Sequence, residues 1–215
     1  MIEIARRHRY DTVLFDLLTG LLDSWTLWND VAGGPVAGRR WRARYLQLTY
    51  GTGPYRAYET LVAEAAETEG LNRRLASVLA ARYGELRPWP GVVKALAPLI
   101  ASGIRLGVAT NCSETLGQIA TACVGVPFDV VVTAERAGYY KPDPRPYRMA
   151  VAELGVLAER SLFVAGSAYD LIGAAGAGLA VWWHDRIGMD KPPGAPEPLR
   201  HTRALEGLGA FVLGD

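Results

Sequence analysis

Five short, mostly apolar runs, each followed by a stretch with helical spacing or a turn, constrain this chain most: 12–15, 105–109, 129–132, 161–165 and 180–183. A run of this length without regular polar alternation suits a strand covered on both faces, as in a parallel sheet. Helical spacing appears at 92–102, where Pro98 is a candidate kink, at 113–123 behind Ser113 as N-cap, at 145–154 and at 171–177. Strands alternating with helices predict right-handed crossovers and an α/β fold with a doubly wound, Rossmann-like parallel sheet. The segment 21–87 breaks the alternation. It is rich in tryptophan, tyrosine, alanine and arginine, has helical spacing at 58–66 and 72–83, and ends at Pro88-Trp89-Pro90-Gly91. The expected organisation is a core of 1–20 and 88–215 with a helical insertion at 21–87. The tract 191–198, with its prolines, reads as loop.

Ligands of such sheets bind outside the carboxyl ends of the strands. That rule selects Asp16, Thr110 with Asn111, Lys141, and Ser167 with Asp170. A carboxylate at a strand end needs cations or N–H donors to stay ionised and to hold an anionic substrate. Lys141 and the N–H groups of the strand-to-helix turns are suited to supply both.

Composition narrows the classes. Half of the 215 residues are hydrophobic, enough for a substantial core. The formal net charge is +1, and the densest basic run, Arg6-Arg7-His8-Arg9, reads as a solvated flank, so a nucleic-acid partner is not expected. The two cysteines, Cys112 and Cys123, lack CxxC partners. Neither a metal cluster nor a disulfide is expected, and reduced thiols point to the cytoplasm. The first residues, with Glu3, Arg6 and Arg7, do not read as a signal peptide, and no apolar run reaches the length of a membrane span. The expected partner is a small anionic substrate, with no membrane; a homodimer is left open.

Four motifs now carry a resemblance. Phe15-Asp16-Leu17-Leu18-Thr19-Gly20-Leu21-Leu22-Asp23-Ser24, Val108-Ala109-Thr110-Asn111, Tyr140-Lys141-Pro142-Asp143-Pro144 with Tyr147, and Phe163-Val164-Ala165-Gly166-Ser167-Ala168-Tyr169-Asp170 resemble, in order, the motifs of the haloacid dehalogenase (HAD) superfamily. The resemblance implies a HAD core with 21–87 as its helical cap. Three features are similar to the L-2-haloacid dehalogenase (type II) branch. Leu18 stands where the phosphatase branch has a second aspartate that protonates the leaving alcohol. Trp41-Arg42 is similar to the cap segment with the halide-binding arginine, and Val181-Trp182-Trp183-His184-Asp185-Arg186 resembles the branch's fifth-strand signature. In other places the chain departs from the pattern. Leu18, Thr19 and Gly20 replace an aromatic, a glycine and a threonine, and Ala165 and Ser167 replace a serine and an asparagine.

The function implied is hydrolysis of a 2-haloacid without metal or other cofactor, through an aspartyl ester on Asp16. Lys141 and Asp170 would orient the hydrolytic water. Thr110 and backbone N–H groups would hold the substrate carboxylate, and Arg42, Asn111 and apolar cap residues the halide. Thr19, Tyr147 and Ser167 complete the substrate-binding set. Two alternatives stand beside this reading: a Mg2+-dependent small-molecule phosphatase of the same superfamily, and a catalytically impaired HAD-fold binding protein.

Overall fold

The structure, a computed structural model, describes residues 8–214. Arg6 and Arg7 of the basic run, and the opening residues judged unlike a signal peptide, lie outside the described residues. The chain runs β1 (Thr12–Phe15), α1 (Ser24–Val31), α2 (Pro35–Gly51), α3 (Tyr58–Thr68), α4 (Leu75–Ala81), α5 (Val92–Ala101), β2 (Arg105–Thr110), α6 (Glu114–Ala122), β3 (Val130–Thr133), α7 (Ala134–Ala137), α8 (Pro144–Leu154), β4 (Ser161–Ala165), α9 (Asp170–Gly176), β5 (Ala180–His184), β6 (Arg200–Thr202) and α10 (Leu208–Leu213). All strands are parallel in one sheet of order β3-β2-β1-β4-β5-β6. It is the α/β, Rossmann-like arrangement expected from the apolar runs. The order reverses at β1 and β4, which places the crevice at the carboxyl ends of these two strands.

The strands are apolar on both faces because both are covered. Val13 and Phe15 of β1, with Leu162 and Val164 of β4, join one core; Leu14, Phe163 and Ala165 join the other. This is the period-two alternation of a pleated strand between two helical layers.

Helices α1 to α4 follow β1 directly and pack on one another through aromatic side chains. Trp28 meets Trp41 with ring centroids 4.6 Å apart and Tyr45 at 5.5 Å, and the Trp41 indole donates to the Val62 carbonyl at 2.8 Å. The two chain passages that lead in and out of these helices are tied together. Leu22 bridges to Pro88, Asp23 N–H donates to the Arg87 carbonyl, and Trp89 N–H donates to the Leu21 carbonyl.

The structure differs from the expectations in three places. A sixth strand, β6, pairs with β5 beyond the proline-rich tract. Its residues, Arg200, His201 and Thr202, are polar because it forms the sheet edge, so no apolar run announced it. The helix expected at 72–83 is confined to Leu75–Ala81. Ser113 does sit at the N-cap of α6, but its hydroxyl donates to Glu59 at 2.6 Å and leaves the helix N–H groups uncapped by it.

The loops after β1 and β4 touch backbone to backbone. A Cβ on Gly166 would stand 2.1 Å from the Gly20 nitrogen, and one on Gly20 would stand 2.4 Å from the Asp16 carbonyl oxygen. Gly166→Ala is therefore expected to lower stability in urea denaturation by about 1–3 kcal/mol, the usual cost of overpacking. Gly176→Ala, in α9 with nothing within 4 Å of the new methyl, should raise stability slightly or leave it unchanged. Equal effects of the two changes would contradict the close approach of the loops.

Candidate functional site

Asp16 is the residue immediately after β1, and its amide still donates to the Val164 carbonyl at 3.0 Å. The strand pairing thus fixes where its carboxylate points. Asp16 Oδ2 accepts the N–H groups of Thr19 at 3.0 Å and Gly20 at 2.8 Å. Asp16 Oδ1 accepts the Lys141 ammonium at 2.7 Å, and the same ammonium lies 3.0 Å from Asp170 Oδ1. All three residues are at least 95% buried. Burial works against the Lys141 charge, but the two carboxylates outweigh it and hold the ammonium above its ordinary pKa. Burial pushes Asp170 above the usual carboxylate range, with Lys141 opposing and Asp16 reinforcing the shift.

Each member is held from behind. The Asn111 side-chain amide clamps the Lys141 backbone, accepting its N–H at 2.7 Å and donating to its carbonyl at 2.9 Å. Tyr147 donates its hydroxyl to Asp170 Oδ1 at 2.6 Å, and Ser167 N–H approaches Asp170 Oδ2 at 3.3 Å. The 19–20 loop is gripped by the Trp89 indole on the Thr19 carbonyl and by His184 Nδ1 on the Gly20 carbonyl, both at 2.8 Å. Burial lowers the His184 pKa, which suits a neutral ring in this structural contact.

From the other side α2 brings Arg42. Its guanidinium donates to the Ser24 hydroxyl at 2.6 Å and the Thr19 hydroxyl at 2.9 Å, and it lies 4.1 Å from the centre of the Trp25 ring. Burial lowers its pKa, yet an arginine remains a cation. Gly20 has no room for a side chain, so the loop's hydroxyl is the one at Thr19, turned toward Arg42.

The resulting crevice is lined by Asp16, Thr19, Arg42, Asn111, Lys141, Ser167 and Asp170 from the sequence-based set. Thr110 and Tyr147 stand behind it. Thr110 is fully buried with the Cys112 thiol 3.9 Å from its hydroxyl, and the Tyr147 hydroxyl is taken up by Asp170. Both were expected to touch substrate; the structure makes them supports of the wall instead. Burial pushes the Cys112 thiol up to about 12, so it stays protonated near neutral pH. The lining also includes Leu18, Tyr45, Leu46, Tyr50, Pro142 and Tyr169, which sequence reasoning did not single out as site residues. Arg42, Leu46 and Tyr50 are four residues apart on α2, the spacing of one helix face, and this was the signal available in the sequence. Leu46 is five residues from the buried Trp41, about 140° round the helix, and faces the crevice instead.

Magnesium requires about six oxygens in octahedral array. Here the space between the two carboxylates is filled by the Lys141 ammonium, Asp16 Oδ2 is taken by two N–H groups, and Leu18 brings no oxygen on its side chain. Among the described residues no group of three or more His, Cys, Asp or Glu is placed to hold a metal ion. This donor set does not fit a magnesium site. Among the described residues, too, no helix is long and apolar enough to cross a membrane.

Residues 10–178 match the haloacid dehalogenase-like hydrolase family. The (S)-2-haloacid dehalogenase H-109 of Pseudomonas putida is 29% identical over 191 residues, covering 84% of this chain and 85% of that protein. A phosphoglycolate phosphatase of Caulobacter vibrioides is 34% identical over 119 residues, 54% of this chain and 50% of the phosphatase. In fold, the L-2-haloacid dehalogenase of Xanthobacter autotrophicus superposes with a TM-score of 0.85 at 24% identity, over 95% of this chain and 99% of that one.

Lys141→Met should cost about 3–5 kcal/mol at neutral pH, because it leaves two buried carboxylates without their cation. In the variant Asp170 loses the ammonium that opposes its upward shift by burial, so its folded pKa stands above its unfolded one and stability rises again as pH falls through that range. Chemical denaturation over a pH series checks both points; a variant as stable as the parent at neutral pH would contradict the shared ammonium.

Proposed function

Because the chain belongs to the haloacid dehalogenase-like hydrolase family, we propose that it hydrolyses 2-haloacids without a metal, through an ester on Asp16. The observation that carries this reading is the pairing of Leu18 with Lys141. The residue two after Asp16 offers no proton to a leaving alcohol, and the cation between the carboxylates is the protein's own ammonium. A halide needs no proton to leave. The Pseudomonas putida relative that spans most of the chain is a 2-haloacid dehalogenase, whereas the phosphatase relative matches about half of it.

In the proposed reaction Asp16 Oδ1 attacks C2 of the acid. The new C–O bond forms as the carbon–halogen bond breaks, and the halide departs with the bonding pair toward Arg42. Asp16 Oδ2 becomes the carbonyl oxygen of the ester. The Thr19 and Gly20 N–H groups already on it then form an oxyanion hole when water adds to that carbonyl. Asp170, with its raised pKa, takes the water's proton. Its Oδ2 has the weaker partner, Ser167 N–H at 3.3 Å, and is the freer oxygen for this role. Collapse expels the alkoxide, which takes a proton back from Asp170, and the Asp16 carboxyl gives up the water's second proton to become a carboxylate again. The 2-hydroxy acid leaves inverted at C2 because only the first step touches that carbon. The α1–α4 insertion acts as the cap, supplying Arg42, Leu46 and Tyr50 and excluding water.

A panel of haloacids and phosphate esters, assayed with and without EDTA, tests the reading. Halide release that EDTA leaves unchanged is expected. Phosphate release that EDTA abolishes would assign the phosphatase function, and binding without any turnover would assign a binding protein. Arg42→Ala should lose about 1.5–3 kcal/mol of transition-state stabilisation in kcat/KM, the scale of a charge-assisted contact. Arg40→Ala, on the exposed face beside Glu69, should change little; equal losses would remove the halide role of Arg42.

A further inference from the structure

We propose that Tyr50, on α2, is the side-chain donor that binds the carboxylate of the substrate. The proposal deepens the dehalogenase reading and rests on it only in taking the bound anion to be the substrate's own acid group.

An acid entering this crevice meets two carboxylates and needs donors that are still free. The Lys141 ammonium stands between Asp16 and Asp170. The Asn111 amide has both its oxygen and its nitrogen on the Lys141 backbone. Arg42 donates two of its N–H groups to Ser24 and Thr19, and its others are those proposed to meet the halide. Thr110, the hydroxyl expected for the task, is sealed under the wall beside Cys112.

Tyr50 differs from all of these. Its residue lines the crevice, and its hydroxyl oxygen is wholly shielded yet has no hydrogen-bond partner. Among the described residues it is the crevice lining's one such side-chain atom. A shielded hydroxyl left unpaired costs free energy that a ligand recovers by accepting its proton. The ring is fixed against Tyr169, with centroids 4.3 Å apart, so the donor is held in place before any ligand arrives. The hydroxyl lies beside Ser167 without completing a hydrogen bond to it, in the field of Asp170 and Asp16. Burial foremost raises its pKa, so Tyr50 remains a neutral donor through the neutral range. A neutral donor suits a carboxylate here, since no further charge has to be buried.

The order along α2 agrees. Arg42, Leu46 and Tyr50 present a cation, an apolar surface and a neutral donor in succession along one face. A 2-haloacid has the matching parts: a halogen, an apolar carbon substituent and a carboxylate.

The test is direct binding of propionate, an unreactive carboxylate, to the wild-type protein and to Tyr50→Phe by titration calorimetry. Loss of a donor to a charged acceptor should raise the Kd at least about tenfold. The melting temperature should not fall, because the folded protein loses no hydrogen bond. A variant that binds propionate as tightly as the parent overturns the proposal, and so does a wild-type protein that binds no propionate. Turnover of 2-chloropropionate is measured on the same two proteins. If propionate binding depends on Tyr50 while neither protein releases chloride, the dehalogenase reading falls and Tyr50 stands as a carboxylate-binding residue.

Discussion

Two buried carboxylates sharing one ammonium is the interaction on which the rest of the site depends. Asp16 and Asp170 arrive from the ends of neighbouring strands, β1 and β4, and neither carries its charge cheaply inside the protein. Lys141, at 2.7 and 3.0 Å from them, makes the pair tolerable, and its own charge persists because they surround it. The arrangement gives the two acids different characters. Asp16 has a cation on one oxygen and two N–H donors on the other. Asp170 is pushed up by burial, which favours taking a proton.

Much of the surrounding structure serves to hold this trio still. Asn111 fixes the Lys141 backbone, Tyr147 fixes Asp170, and Trp89 and His184 fix the carbonyls of the loop whose N–H groups face Asp16. The approach of Gly20 to Gly166 brings the loops after β1 and β4 into contact without side chains between them. The helices inserted after β1 close the arrangement from above, and one face of α2 supplies the groups that would meet a ligand.

Asp16 was legible in the sequence because a parallel sheet forces its strands into apolar runs, and the residue that ends such a run faces the crevice by topology; Lys141, eight residues beyond β3, was legible through its Lys-Pro motif. The same logic failed for β6, whose edge position lets Arg200-His201-Thr202 stay polar. It also failed for Thr110 and Tyr147. Their places in the motifs are recognisable, but whether a side chain faces the ligand or supports one that does depends on rotamer and packing. Tyr50 was missed for a third reason. Helix α2 mixes arginines and aromatics around its circumference, so its phase was not evident.

In the proposed reaction Asp16, not water, attacks the carbon that bears the leaving group. A single turnover of a 2-haloacid with enzyme in excess, run in 18O-labelled water, separates the two. In the proposed route water adds to the carbonyl carbon of the Asp16 ester, so the label is found in the Asp16 carboxylate and the hydroxyl of the first product carries unlabelled oxygen. Label in the product hydroxyl, with none in Asp16 by peptide mass spectrometry, would contradict the account.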